Sequence, residues 1–426
     1  MPVTLRPVAE LARARRASFI SFLLLGHLVL CSIAWVPEYI DRLGVSFAQW
    51  GIILGLAPIG ALSAVITAPL MINRFGTSPV MRVTALLATV ALVPLGFVTN
   101  VPLWTVLNTL FNFLAGLTGV AVNTHGVLLQ KKVKESILSG LHAGWSIGAV
   151  AAAASGGIAT LLTSLEIYLI TVALFTLAGF LIIHRFLLNP HEDGHREEGS
   201  TSSRRPLREL PPRIWLLAFG LLCAVVPEIA VFEWSAVLSR SAGADVALRA
   251  LPFATFMVGM IVGRLSISTL ARRFDIHAIS VAGAIASGIS MGLGVGGAWL
   301  LSPLSPVSAV LWLAGLWSVA GMGLAPVGPT MISTGSSLPG IMTTQAISVL
   351  SFVAQSMSIV AKVSMGAIAE GSSVFLAFSV PIAMLFLGAI IAHRTSTRVR
   401  ARDIERVPAV TGPLPVVLSE ELNGKP

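Results

Sequence analysis

From Leu165 to Val226 the chain reads LEIYLITVALFTLAGFLIIHRFLLNPHEDGHREEGSTSSRRPLRELPPRIWLLAFGLLCAVV. An apolar block over 165–187 gives way at Asn189 to an interval that mixes both charge signs with Ser, Gly and Pro, and at 213 a second apolar block begins. Each block is close to the roughly 20 residues that cross a bilayer as a helix. The interval, 189–212, has the composition of a flexible linker. Outward from this point the same kind of block recurs on both sides. Helices are expected at 17–40, 47–70, 79–99, 103–128, 137–162 and 165–187, and again at 213–238, 247–270, 276–301, 307–332, 342–369 and 372–393. The expected fold is an all-α membrane protein of twelve transmembrane helices in two six-helix, pseudo-symmetric halves, 17–188 and 213–393. A short N-terminal segment, 1–16, and a polar tail, 394–426, flank them.

Composition agrees with this reading. Of 426 residues 55% are hydrophobic and 11% are charged, against about 25% charged in a soluble protein. A soluble enzyme is excluded. A membrane barrel would show alternating strands of about ten residues instead of long Ala-, Leu- and Gly-rich blocks. The formal charge of +9 raises the question of nucleic acid, but position answers it. With the N-terminus inside, 23 of the 28 Lys and Arg fall on the inner side, Arg42, Arg240 and Arg249 fall outside, and Arg264 and Lys362 lie within helices. Positive charge gathers on the cytoplasmic side, so both termini are expected in the cytoplasm and no nucleic-acid partner is implied. Cys31 and Cys223 both sit inside apolar blocks and read as small buried hydrophobes. No metal-ligand set, cofactor motif or phosphate-cradling GK[ST] loop is found.

The halves repeat weakly. The second helix runs into APLMINRFG (Ala68–Gly76) and the eighth into STLARRFD (Ser268–Asp275), while the fourth and tenth share Gly-rich stretches, LAGLTGVAVN from Leu114 and VAGMGLAPVG from Val319. Parallel six-helix repeats around a midplane cavity are a transporter architecture.

Ionisable groups inside a bilayer are costly and mark pathways or pairs. Helix 7 carries Glu228 and Glu233, which at about 100° per residue stand roughly 140° apart. Proton coupling is one reading of these carboxylates, and an ion pair holding the helix is the other. On helix 11, Thr344, Ser348, Ser351, Gln355, Ser358 and Lys362 follow at spacings of 4, 3, 4, 3 and 4, a polar stripe that should line water or a partner helix. A salt bridge from Lys362 to Glu233 or Glu228, broken on proton or solute binding, is expected. On helix 4, Asn112 lies one turn from Asn108, and Asn123 returns to within about 20° of the same line, which suits either a polar solute or interhelical hydrogen bonds. His27 is deep in helix 1 and is a residue type that titrates near physiological pH. His142 and Trp145 of helix 5, with Ser146 on the histidine's face, are read as substrate contacts or gate packing. Arg264 and Arg273 are expected to bond the cytoplasmic ends of neighbouring helices and so to act in gating.

The segments SGLHAGWSIGA (Ser139–Ala149), PEIAVFEWSA (Pro227–Ala236) and MVGMIVGRLSISTLARRFD (Met257–Asp275) resemble the major facilitator superfamily, and within it a bacterial subgroup of inner-membrane facilitators distantly similar to fucose-type sugar/proton symporters. The resemblance covers essentially the whole chain. It implies that Glu228 and Glu233 correspond to the subgroup's two helix 7 acids, and that Gly263 and Arg264 correspond to its helix 8 Gly-Arg. The family's loop between helices 2 and 3 is matched by Arg74 and Gly76, implying a gating role for both, although Asn73 replaces its acid. Gly119 and Gln130 stand where the subgroup has acids in helix 4.

The function expected is secondary transport of a small organic solute across the cytoplasmic (inner) membrane, coupled to protons, by a monomer that rocks its two halves. Helix 5 lacks the Gly-Pro pair of drug antiporters in the superfamily, which favours uptake symport of a sugar-like or other polar solute. The missing helix 4 acids keep efflux of drugs or organic cations open. A membrane sensor would need a folded cytoplasmic domain, which neither linker nor tail supplies.

Overall fold

A computed structural model describes residues 8–133, 137–190, 206–338, 341 and 343–403. Among these the chain is helical, with no strand, and twelve helices are long and apolar enough to span a membrane. They are α1 (Glu10–Leu43), α2 (Phe47–Phe75), α3 (Thr77–Gly96), α4 (Val101–Val133), α5 (Gly140–Leu162) and α6 (Leu165–His184), then α7 (Pro212–Ser241), α8 (Val246–Ile267), α9 (Ile276–Leu301), α10 (Pro306–Ser336), α11 (Gln345–Gly371) and α12 (Val374–Thr395). The chain is a multi-pass helical membrane protein. Parts of the expected N-terminal segment, linker and tail, at 1–7, 191–205 and 404–426, and Lys134 lie outside the described residues.

Differences from the expected spans have local causes. The first helix already begins at Val8, because Arg13, Arg15 and Arg16 are good helix formers and carry it past the apolar block. Within α1 the helix tightens to a 3₁₀ turn at Ile33–Trp35, just ahead of Pro37. In α10 the helix stops at Leu324 and resumes at Val327. Pro326 lies between, with no N–H to donate and a ring that crowds the preceding turn.

Corresponding helices of the first six spans and the last six make corresponding contacts. In the first half α1 packs on α5, α2 on α4, and α3 on α4 and α6; in the second, α8 packs on α10, α9 on α10 and α12, and α7 on α11 and α12. Helices in a bilayer approach closely through small residues. Gly60 and Gly259 each lie thirteen residues after the first residue of their span, Phe47 and Val246. A Cβ on Gly60 would come within 2.2 Å of the Thr109 carbonyl, and one on Gly259 within 1.9 Å of the Ser318 carbonyl. The α2–α4 and α8–α10 crossings are therefore the same contact built twice.

With twelve spans, the start of α1 and the end of α12 lie at one face, called here the terminal face. At the opposite, far face the halves close on each other. Gly51 of α2 meets Gly366 of α11 so tightly that a Cβ on Gly51 would lie 2.8 Å from the Gly366 Cα. Arg240 of α7 donates to Asp41 at 2.6 Å and to the Pro37 carbonyl at 3.2 Å, and the Phe47 amide donates to Glu370 Oε2 at 2.9 Å.

The turn between α2 and α3 is set by Gly76, at φ 88° and ψ 165°, a region essentially reserved for glycine. Gly76→Ala is expected to destabilise the protein by about 1–3 kcal/mol, seen as an earlier thermal unfolding midpoint in detergent. Gly140→Ala, where an added Cβ meets nothing within 4 Å, should leave the midpoint unchanged or higher. At the equivalent turn of the second half, Asp275 caps α9 by accepting from the His277 and Ala278 amides at 2.8 and 3.2 Å.

Candidate functional site

Helix α7 is the hub of the site, and both its acids follow Pro227 within two turns. Glu233 and Lys362 of α11 form an ion pair through Oε1 and Nζ. Both are largely withdrawn from solvent, with side chains 19% and 8% exposed. The same ammonium donates at 3.2 Å to the carbonyl of Leu54, on α2 of the other half. The second carboxylate oxygen, Oε2, is buried without a hydrogen-bond partner. A cavity of about 10 Å³ adjoins the pair, lined in part by Ser358, and that is room for roughly one water. Of the two carboxylates expected to meet Lys362, the geometry selects Glu233.

Glu228, about 140° around the helix from Glu233, faces Arg264 of α8 with 3.9 Å between Oε1 and Nη2. This contact is looser and wetter, the side chains being 26% and 34% exposed. Arg264 Nη1 donates at 2.8 Å to Ser146 Oγ, on α5 of the other half. Arg264 thus bonds a neighbouring helix near its terminal end, as expected, and its long side chain also faces the carboxylate. Arg273 is exposed in the turn after α8 and makes no such bond among the described residues. Two ionic pairs of one half thus each touch the other half once, across α11–α2 and across α8–α5.

The remaining expected residues divide by where they face. Trp145 rests against Phe232 of α7, with ring centroids 6.4 Å apart. His142, one turn before Ser146 on the same face, is exposed and stands edge-on to Phe22 at 5.1 Å. On α11, Lys362 and Ser358 are buried, Ser351 is half-buried, and Gln355 and Ser348 are exposed; the Thr344 side chain is outside the described residues. The stripe therefore runs from a buried pair toward the far face to exposed residues toward the terminal face. Asn112 and Asn123 are half-buried. They stand roughly 120–160° around α4 from Thr118 and His125, which bond to Thr84 and Thr77 of α3, and so look away from α3. Each spends an amide N–H on its own helix, to the Asn108 and Gly119 carbonyls at 2.8 Å.

His27 does not join the site. It is buried against Phe175 of α6, with centroids 5.8 Å apart, inside the first half. Arg74 is exposed and lies over the ring of its neighbour Phe75 at 5.3 Å, so beside Gly76 it contacts solvent and not the second half. Sequence reading missed Leu54, whose contribution is a main-chain carbonyl, and missed Asp41 and Glu370. Nothing in the count of five far-side acids and three arginines singles out those two.

Accessibility gives a direct check of the stripe. Single cysteines at 348, 351 and 355 are expected to react with a water-soluble maleimide, while cysteines at 350, 354 and 358 should be protected. Uniform labelling would show that α11 does not border a one-sided groove.

A family model described as Major Facilitator Superfamily matches residues 17–362. The chain is 28% identical over 375 residues to an uncharacterized transporter, y4wD, of Sinorhizobium fredii, covering 87% of this chain and 95% of the relative. It is 25% identical over 372 residues to an uncharacterized MFS-type transporter of Yersinia pestis, covering 86% and 92%. Among solved structures it is similar to the nucleoside transporter NupG (TM-score 0.66, 14% identity, 92% of this chain and 99% of that one) and to a D-xylose-proton symporter (TM-score 0.69, 13% identity, 89% and 97%). At that identity the structures speak for the fold alone.

Proposed function

The chain belongs to the major facilitator superfamily, and from that premise we propose that it is a monomeric, proton-coupled symporter that brings a small polar organic solute into the cell by alternating access. The terminal face is then cytoplasmic, in keeping with the basic residues that gather on it. Uptake across the cytoplasmic membrane follows, with both termini inside.

The observation that carries this reading is the buried Lys362–Glu233 pair with its single bond to Leu54 of the other half. A carboxylate is the natural proton acceptor of a membrane pathway, and Oε2 is buried without a partner. A proton on Glu233 removes the charge that compensates Lys362. The ammonium is then left in a dry site with one carbonyl, and the way to relieve it is to admit water between α2 and α11 by parting the halves at the far face. Loss of the proton restores the pair and closes that face, which is the state described. Removing one partner of a buried pair costs about 3–5 kcal/mol. Driving a two-state equilibrium from 1:99 to 99:1 takes about 5.5 kcal/mol. Protonation therefore biases the protein toward the state open at the far face, where solute is received, and bound solute must offset that bias for the far face to close and both to be delivered inward.

A transport screen over sugars, nucleosides, amino acids, amines and drugs, with and without an uncoupler, tests the proposal. Accumulation of one solute class that collapses with the proton gradient is expected. Accumulation untouched by the uncoupler, or extrusion driven by the gradient, contradicts coupled uptake.

A further inference from the structure

We infer that the solute is a zwitterion with closely spaced charges, of the α-amino acid kind, whose anionic group binds Arg264 and whose cationic group binds Glu228. This rests on the transport reading above and adds to it the class of molecule carried. The two ionic pairs differ in a way that assigns them different tasks. Lys362–Glu233 is dry and in direct contact. Arg264–Glu228 is more exposed, and its 3.9 Å separation exceeds a hydrogen bond. A guanidinium offers five N–H donors, and among the described residues Arg264 uses one, on Ser146. An arginine with free donors and a carboxylate with free lone pairs therefore stand side by side, both partly exposed.

Charge balance selects what can bind there. A lone anion on Arg264 would face Glu228, and a lone cation on Glu228 would face Arg264, each an uncompensated repulsion in a partly dry site. A neutral hydroxyl compound would leave most of the guanidinium donors unused. A solute carrying both charges pairs each protein group with its opposite and leaves the total unchanged. Because the two protein groups are adjacent, the charges of the solute must be adjacent too. An apolar surface for the rest of the solute is offered by Trp145, next to Ser146 on α5, and Phe232, one turn beyond Glu228 on α7, which pack on each other.

Purified protein in proteoliposomes and detergent is to be tested by counterflow and thermal shift. The probes are L-leucine and L-phenylalanine; phenethylamine, phenylacetate, N-acetyl-L-phenylalanine and L-phenylalanine methyl ester, each bearing one charge; and neutral D-xylose and uridine. At least one amino acid is expected to bind about tenfold or more tightly than any single-charge analogue, because each removes a charge-assisted bond. In Arg264→Gln, L-phenylalanine and phenethylamine should bind alike; in Glu228→Gln, L-phenylalanine and phenylacetate should. Arg264→Lys should restore part of the preference. Should either neutralised variant fail to fold, the probe series on the unaltered protein decides. Equal or tighter binding of a neutral or singly charged probe, or no binding of either amino acid, overturns the inference. Proton-linked uptake of D-xylose would overturn it and leave the coupling mechanism standing, whereas amino acid uptake without proton movement would do the reverse.

Discussion

Replacement of Lys362 by methionine is expected to destabilise the protein by about 3–5 kcal/mol and to stop coupled transport. The loss arises because Glu233 keeps its charge and loses the ammonium that compensates it in a dry site. Glu233→Gln should act in the same direction, stranding Lys362 with only the Leu54 carbonyl at 3.2 Å. Removing both should be far milder than the sum, since an apolar pair of similar volume packs at least as well as a buried ion pair. Thermal unfolding of the two single variants and the double variant in detergent gives the coupling energy directly. Strict additivity would mean that the two side chains do not act as a pair.

Gly51→Val is expected to hold the far face open. The nearest atoms to a new Cβ are the Gly366 Cα and the Lys362 carbonyl, each at 2.8 Å. These are backbone atoms of the opposite half, so no side chain can swing aside to make room. Overpacking of this kind costs about 1–3 kcal/mol, equivalent to a roughly 5- to 150-fold shift of the conformational equilibrium. The damage falls only on the state in which α2 and α11 touch. A cysteine at Phe47, labelled from the far side, should therefore react faster in Gly51→Val, and net uptake should fall because the step that closes the far face over bound solute is blocked. Gly140→Val, at an open position, is the comparison and should do neither.

Most of the fold is legible in the chain because a bilayer leaves it little choice. Backbone groups must be satisfied within each helix, so block length alone marks the spans, and each of the twelve falls on an expected block. What the apolar blocks do not encode is where a helix breaks without leaving the membrane, as at Pro326 within α10. At the site, the scarcity of charge made Glu228, Glu233, Arg264 and Lys362 conspicuous, and similar depth in their helices made Lys362 and Glu233 candidates for a pair. Which carboxylate took the lysine was settled by packing. Arg264 was expected to bond a neighbouring helix and does so at Ser146, but that its long side chain also faces Glu228 has no mark in sequence position. Nor has a titratable residue deep in a helix, such as His27, a mark to say which face it presents; this one packs on Phe175. Main-chain partners such as the Leu54 carbonyl carry no signal in residue type at all.

The central claim, that Glu233 carries the coupled proton, is tested most directly by recording the internal pH of proteoliposomes as the screened solute is added outside. Unaltered protein should acidify the lumen as solute enters. Glu233→Gln should bind the solute and exchange it across the membrane with no accompanying pH change. Solute-induced acidification that persists in Glu233→Gln would contradict the account.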